Sequence, residues 1–284
     1  MTPLVSFAER RVIIMKIGFI GIGNMGGAIL SGYAAAESSA DMTLMAYDKN
    51  EEVCSAARAS IERLIICESS YDLCRDADII LLGVKPQIIE TVLEEISPAY
   101  DTTKLIISMA AGIKISLLER YFGDDASIIR IMPNLPAKVG EGMISVSRNS
   151  NVNDAEFKIA MDIFSSVGRA EEVDESLIDC VIGVSGSSPA YTYMYIEALT
   201  EAAVANGMDE NKARVFAAQS VLGAAKLVLE SSESLEQLRI NVCSPNGTTI
   251  EAVNRLFENG FKEKVIEGFQ AAVDRSIEMG KEKE

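Results

Sequence analysis

The chain has 284 residues, 48% hydrophobic and 24% charged, an ordinary globular composition with length enough for two domains. A net charge of −16 argues against general affinity for nucleic-acid phosphates or anionic lipid, and no apolar run is long enough to span a bilayer. With no histidine, the Ser-His-Asp and Cys-His nucleophiles and the usual zinc sites are excluded, and no metal is expected.

Residues 1–14 read as an N-terminal extension, with Met15-Lys16-Ile17 as a natural start for the first strand. From there to about residue 147, short Ile/Leu/Val runs alternate with helical stretches. Strands are predicted at Lys16–Gly21, Thr43–Tyr47, Leu64–Cys67, Ile79–Val84, Leu105–Ser108 and Ser127–Ile131, with Met143–Val146 as an added edge strand. Continuous apolar strands separated by helices predict an α/β domain built on a doubly wound parallel sheet, over residues 15–168. Beyond it, Arg169–Val173 is the last convincing strand. Tyr191, Met194, Tyr195, Ala198, Leu199 and Ala202 then recur at helical spacing until Gly207. Asp209 is placed to cap a helix running to about Ser231, and two more helices are predicted near 247–259 and 262–280. Residues 169–284 therefore read as an all-α domain whose abundant alanines permit close helix approach and a dimer interface.

Gly21-Ile22-Gly23-Asn24-Met25-Gly26 follows the first strand and opens a helix, with Asp48 roughly 20 residues further on, after the second strand. That context reads as a dinucleotide-binding turn, hence an expected Rossmann-type domain. The first glycine makes the turn, the second lets a pyrophosphate approach the backbone, and the third allows helix and strand to meet. Asp48 suits a ribose hydroxyl and NADH, whereas Lys49 suits the 2′-phosphate of NADPH, so NADPH or NADH is expected. Val84-Lys85-Pro86, Ala110 with Gly112, and Asn134 end the fourth, fifth and sixth strands, where ligands sit in such sheets; Pro86 also suits the first position of a helix. Near the far end, Ser244-Pro245-Asn246-Gly247-Thr248-Thr249 reads as a turn opening a helix whose free N–H groups suit a small carboxylate.

These segments, with Arg130-Ile-Met-Pro-Asn134 and Ser185-Gly-Ser-Ser-Pro-Ala-Tyr191, closely resemble pyrroline-5-carboxylate reductases from residue 15 to about 280. The resemblance implies a Rossmann domain followed by a helical dimerisation domain, in an enzyme reducing 1-pyrroline-5-carboxylate to L-proline with NAD(P)H. It implies a homodimer or a higher multiple. By the same resemblance, Ser244, Gly247, Thr248 and Thr249 bind the substrate, with Thr249 at the ring nitrogen as the catalytic contact. Two departures stand out: Asn246 and Ser188 each occupy a position where the family commonly has glycine.

An imine substrate fits the chemistry available. Reduction of a ketone needs a proton donor as the alkoxide develops, whereas a cyclic imine can arrive protonated. No basic residue occurs between Arg169 and Lys212, across the whole first helix of the second domain. Glu197 and Glu201 on that helix can face a cation or simply water. The alternatives are a reductase of the same architecture acting on another imine or a 2-oxo compound, and a non-catalytic nucleotide sensor. The sensor has no use for the Ser244–Thr249 segment. Five cysteines without a CxxC pair or a signal peptide point to reduced thiols and a cytoplasmic location.

Overall fold

The computed structural model describes residues 15–281; the expected extension at 1–14 lies outside the described residues. The chain forms two compact units, one running through Val181 and resuming at Ser276, the other spanning Ile182–Arg275.

The first unit is built on an eight-stranded sheet. Its strands and helices are β1 (Lys16–Ile20), α1 (Asn24–Ala35), β2 (Thr43–Tyr47), α2 (Glu51–Ser60), β3 (Ile65–Ile66), α3 (Ser70–Asp76), β4 (Ile79–Leu82), α4 (Ile89–Ile96), β5 (Leu105–Ser108), α5 (Ile115–Phe122), β6 (Ser127–Met132), β7 (Gly142–Arg148), α6 (Asp154–Ser165), β8 (Gly168–Glu172) and the short α7 (Ile178–Val181). Strand order is β3-β2-β1-β4-β5-β6-β7-β8. All neighbours pair in parallel except β6 and β7. The first six strands thus have the doubly wound order that reverses between β1 and β4.

Side-chain alternation explains how one sheet supports two cores. Ile17, Phe19, Leu44, Ala46, Ile79, Leu81, Ile107 and Ile129 join Ile29, Leu30 and Tyr33 of α1 and Ile163 and Phe164 of α6. Ile20, Met45, Ile80, Leu82, Ile106 and Ile128 join Leu73 of α3, Leu93 and Ile96 of α4, and Leu118 of α5. Polar caps start several of these helices: Asn50 accepts from Glu52 N at 3.0 Å, Ser69 from Asp72 N at 3.0 Å, and Asn153 forms a reciprocal capping box with Glu156.

Three expectations change here. β7 is not an edge strand: α6 carries the chain back so that β8 pairs beyond it, Gly142↔Gly168 through Val146↔Glu172. Of the expected third strand only Ile65 and Ile66 stand in register with β2, and Cys67 N–H adds one further bond, to Ala46 O at 2.9 Å. Pro86 does not open a helix, because residues 86–88 form a turn closed by Ile88 N–H to Lys85 O at 3.1 Å and α4 begins at Ile89.

The second unit is helical. It contains a single π-turn at Ile182–Gly186, then α8 (Ser188–Ala205), α9 (Glu210–Glu230), α10 (Leu235–Val242), α11 (Thr248–Glu258) and α12 (Phe261–Lys281), whose last residues from Ser276 belong to the first unit. α8 packs against α9. Gly207, at φ +93°, ends α8, and the Asp209 carboxylate accepts from Lys212 N at 3.1 Å to cap α9. α10 was not expected from the sequence. Its signal was Ser234 three residues ahead of Gln237, whose N–H the serine hydroxyl accepts at 3.1 Å.

Candidate active site

In the first unit the β1–α1 turn is shaped by its glycines. Gly21 has φ +86°, a conformation L side chains rarely adopt, and its N–H donates to Tyr47 O at 2.8 Å. A Cβ on Gly26 would run into the Gly21 carbonyl oxygen, so the third glycine brings α1 up against the turn. Gly23 differs: a Cβ there would meet no protein atom within 4 Å. It is the N-cap of α1 and, lacking a side chain, leaves the first-turn N–H groups uncapped at the positive end of the helix. That combination of open space and uncapped donors fits a pyrophosphate.

Around the turn, Asn24 accepts a hydrogen bond from Lys138 Nζ at 3.2 Å, and Met25 is half-buried against the core on the α1 side of the sheet. Lys138 belongs to no motif, and only its position after the β6 loop marks it out. Asp48 accepts from the N–H groups of both Ile22 and Asn50, each at 2.9 Å. Lys49 beside it is exposed. Asp48, Lys49, Arg58, Cys67 and Glu68 line one cavity at the carboxyl ends of β2 and β3. Burial pushes the Cys67 thiol up to about 11, so it is an uncharged wall of that cavity at neutral pH rather than a nucleophile.

The ends of the next three strands contribute unequally. Val84 is half-buried and Lys85 exposed in the loop after β4, and Gly83 N donates to Ile20 O at 2.7 Å. Ala110 is buried, and Gly112, at φ +74°, lies against the backbone of Met279 and Gly280. Asn134 is only 8% exposed, and its side-chain oxygen accepts Met143 N–H at 2.9 Å, holding the start of β7. Arg130, in the same motif, is buried against Glu175 at 2.9 Å, and that carboxylate also accepts Ile115 N–H at 2.8 Å. Arg130 therefore braces β6 to the start of α5.

In the second unit, the segment before α11 is a tight turn. Asn246 has φ +56°, the sole positive φ of a non-glycine among the described residues, and Gly247 N donates to Ser244 O at 3.0 Å. Asparagine is among the few residues that tolerate this left-handed conformation, so the turn holds without a glycine at this position. A Cβ on Gly247 would strike the Ser244 hydroxyl. Gly247 is the N-cap of α11 and supplies no side-chain cap, so Thr248 and Thr249 enter a first turn with uncapped donors. Thr248 is exposed and Thr249 half-buried. Glu197 and Glu201 are both exposed on α8, and Tyr195 meets Phe261 with ring centroids 6.4 Å apart. Among the described residues no cluster of three potential metal ligands occurs, and no helix is long and apolar enough to cross a membrane.

Comparison with known proteins gives concordant matches. Residues 175–279 match the family model for pyrroline-5-carboxylate reductase dimerisation, and residues 16–112 match that for NADP oxidoreductase, coenzyme F420-dependent. The chain is 43% identical over 266 residues to the pyrroline-5-carboxylate reductase of Escherichia coli (strain K12), covering 94% of this chain and 98% of that one. The solved pyrroline-5-carboxylate reductase of Coxiella burnetii is similar at a TM-score of 0.86 and 32% identity, over 94% of this chain and 98% of that one. The Plasmodium falciparum pyrroline carboxylate reductase, solved with NADP bound, is similar at a TM-score of 0.82 and 34% identity, with the same coverage. With its glycine turn, its doubly wound sheet and these full-length relatives, the chain belongs to the pyrroline-5-carboxylate reductase family.

Proposed function

We propose that this chain reduces the C=N bond of 1-pyrroline-5-carboxylate to give L-proline, in proline biosynthesis, using NADPH or NADH. The observation that carries this reading is a pair of glycine-capped helices. α2, α3, α6, α9 and α10 start on a polar side chain that accepts a backbone N–H, and α4, α5 and α8 start uncapped on Ile88, Lys114 and Ser187, whereas α1 and α11 start on Gly23 and Gly247, with no side chain over the helix end. Each glycine cap leaves main-chain donors for an anion: the cofactor pyrophosphate at α1 and the substrate carboxylate at α11.

On this reading Gly21, Gly23, Asn24, Met25 and Gly26 surround the pyrophosphate, and Asp48 and Lys49 lie toward the adenosine ribose. The strand-end residues Val84, Lys85, Pro86, Ala110, Gly112 and Asn134 frame the nicotinamide end. Lys49 is the group that favours the 2′-phosphate of NADPH. Bound nicotinamide supplies a hydride. Gly247, Thr248 and Thr249 hold the carboxylate through backbone N–H groups, with Ser244 bracing the turn. Thr249 Oγ1 then accepts the N–H of the protonated imine and fixes which face of the C=N bond is presented. Hydride addition neutralises the iminium, so no strong acid is required, in keeping with a chain that has no histidine. The second unit joins two copies into a homodimer, because its helices expose more apolar surface than one copy covers. The odd complement of thiols fits a cytoplasmic enzyme.

Steady-state oxidation of NADPH and NADH in the presence of pyrroline-5-carboxylate tests the proposal directly. Turnover that requires the pyrroline supports it. No turnover with either cofactor sinks it.

A further inference from the structure

The parallel ladder between β1 and β2 runs one bond past the strands, to Gly21 N–H donating to Tyr47 O at 2.8 Å. There the positive φ of Gly21 turns the backbone away from β2, and the next amide, Ile22 N–H, has no strand carbonyl opposite it. Its own side chain is 3% exposed in the core, so the residue cannot swing out to offer that amide to water. The Asp48 carboxylate takes the place of the missing carbonyl: Oδ2 accepts Ile22 N–H at 2.9 Å, across 26 residues of sequence. The other oxygen, Oδ1, accepts Asn50 N–H at 2.9 Å, and Asn50 in turn caps α2. One half-buried carboxylate therefore spans the β1–α1 and β2–α2 turns with two charge-assisted bonds, each to a main-chain donor.

We propose that Asp48 is the positioning residue of the cofactor turn, setting the path of the Gly21–Gly26 backbone that receives the pyrophosphate common to NADH and NADPH. This rests on the reading of 21–26 as the cofactor turn. It assigns Asp48 a part distinct from choosing between the two cofactors, which is left to the exposed neighbour Lys49. An asparagine is isosteric but offers one acceptor oxygen and one donor amide, so it satisfies one of the two N–H groups and opposes the other. A serine can still accept from Asn50 N–H two residues on but is too short to reach Ile22.

Asp48→Asn and Asp48→Ser are compared with the wild-type enzyme by fluorescence titration with each cofactor, steady-state kinetics, thermal unfolding, and amide exchange of the 17–26 segment without cofactor. In both variants the dissociation constants and KM for NADH and NADPH should rise together, by roughly ten- to a hundredfold, the scale of one charge-assisted hydrogen bond. The NADPH-to-NADH ratio should stay near its wild-type value, kcat at saturating cofactor should fall far less than KM rises, and exchange at Ile22 should quicken. A ratio that swings toward NADPH would make Asp48 a charge selector and overturn the proposal. So would unchanged affinity for both cofactors. Loss of the folded state in both variants would assign the carboxylate to folding alone and overturn it too. A wild-type protein that binds both cofactors without reducing the pyrroline would instead count against the proposed reaction and leave the role of Asp48 standing.

Discussion

The two units dispose of apolar residues in opposite ways. In the sheet unit, Ile17, Phe19, Leu44, Leu81, Ile106 and Ile128 have no exposed area. In the helical unit, α8, α10 and α11 bury no residue, and α9 buries only Ala213 and Ala217. Met194 is 67% exposed, Phe216 66% and Leu229 71%. Both stretches read as apolar in sequence, so apolar content alone does not say whether a side chain is meant for its own chain or for another. A monomer leaving this much apolar surface in water forgoes about 1.5–3 kcal/mol for each large side chain it fails to cover, which a second copy can recover. On the proposed reading the division extends to function: the first unit presents its glycine turn on a completed core, whereas the second carries the Ser244–Thr249 segment on helices whose apolar faces a second copy would cover.

The sharpest way to break this picture lies in the first unit. Gly23→Val starts its side chain from a Cβ that has no protein atom within 4 Å, so the fold should persist while the cofactor is shut out. The expected outcome is loss of NAD(P)H binding, by titration, with an unchanged unfolding temperature. Retained affinity in the folded variant would move the cofactor elsewhere.

A charge in the second unit should act next most strongly. Phe216→Glu and Met194→Glu alter residues that are exposed in one chain, so a monomeric fold should tolerate them. In a twofold interface each change is made twice, and the burial of two charges should dissociate the dimer at micromolar concentration. Light scattering with activity measured on the same samples checks this. Fully active, fully associated variants at both positions would show that the exposed faces of α8 and α9 serve no interface.

Thr249→Val keeps the shape of the side chain and removes its hydroxyl. A hydrogen bond made to the imine nitrogen in the transition state is worth about 1–3 kcal/mol, so kcat/KM for the pyrroline should fall roughly ten- to a hundredfold. Cofactor affinity should be preserved, because the hydroxyl's proposed partner is the imine nitrogen and not the cofactor. Wild-type kcat/KM would mean that the segment works through its backbone alone. The smallest effect is expected at Lys49, an exposed side chain facing a screened phosphate. Lys49→Ala should raise KM for NADPH several-fold, on the order of 1 kcal/mol, and leave KM for NADH nearly unchanged. Equal changes for both cofactors would remove Lys49 from the 2′-phosphate site.

The parts of this molecule that can be read from the chain are those decided within a few residues of themselves. The glycines of 21–26, the Asp209 cap, the Gly207 stop and the Asn246-Gly247 turn all have local causes, and each is visible as a residue type at a fixed offset. α10 was equally local, with its Ser234–Gln237 signal, but its apolar pattern is too weak to draw attention. Partnerships across long separations are another matter. Nothing near Asp48 says that its carboxylate will replace a carbonyl for Ile22, and nothing near Asn134 says that its amide oxygen will hold Met143. β7 looked like an edge because only the crossover through α6 supplies its outer neighbour.

By itself, then, the sequence determined the alternation of strands and helices, the two glycine-capped turns and the family to which the chain belongs, because backbone conformation and apolar periodicity act at short range. The tertiary structure alone decided the strand order beyond β6, the return of the chain at Ser276 to the first unit, and the partners of Asp48, Asn134 and Arg130. Those depend on which distant amide or charge is left without a partner once the sheet has closed, and that is a property of the assembled fold rather than of any segment in it.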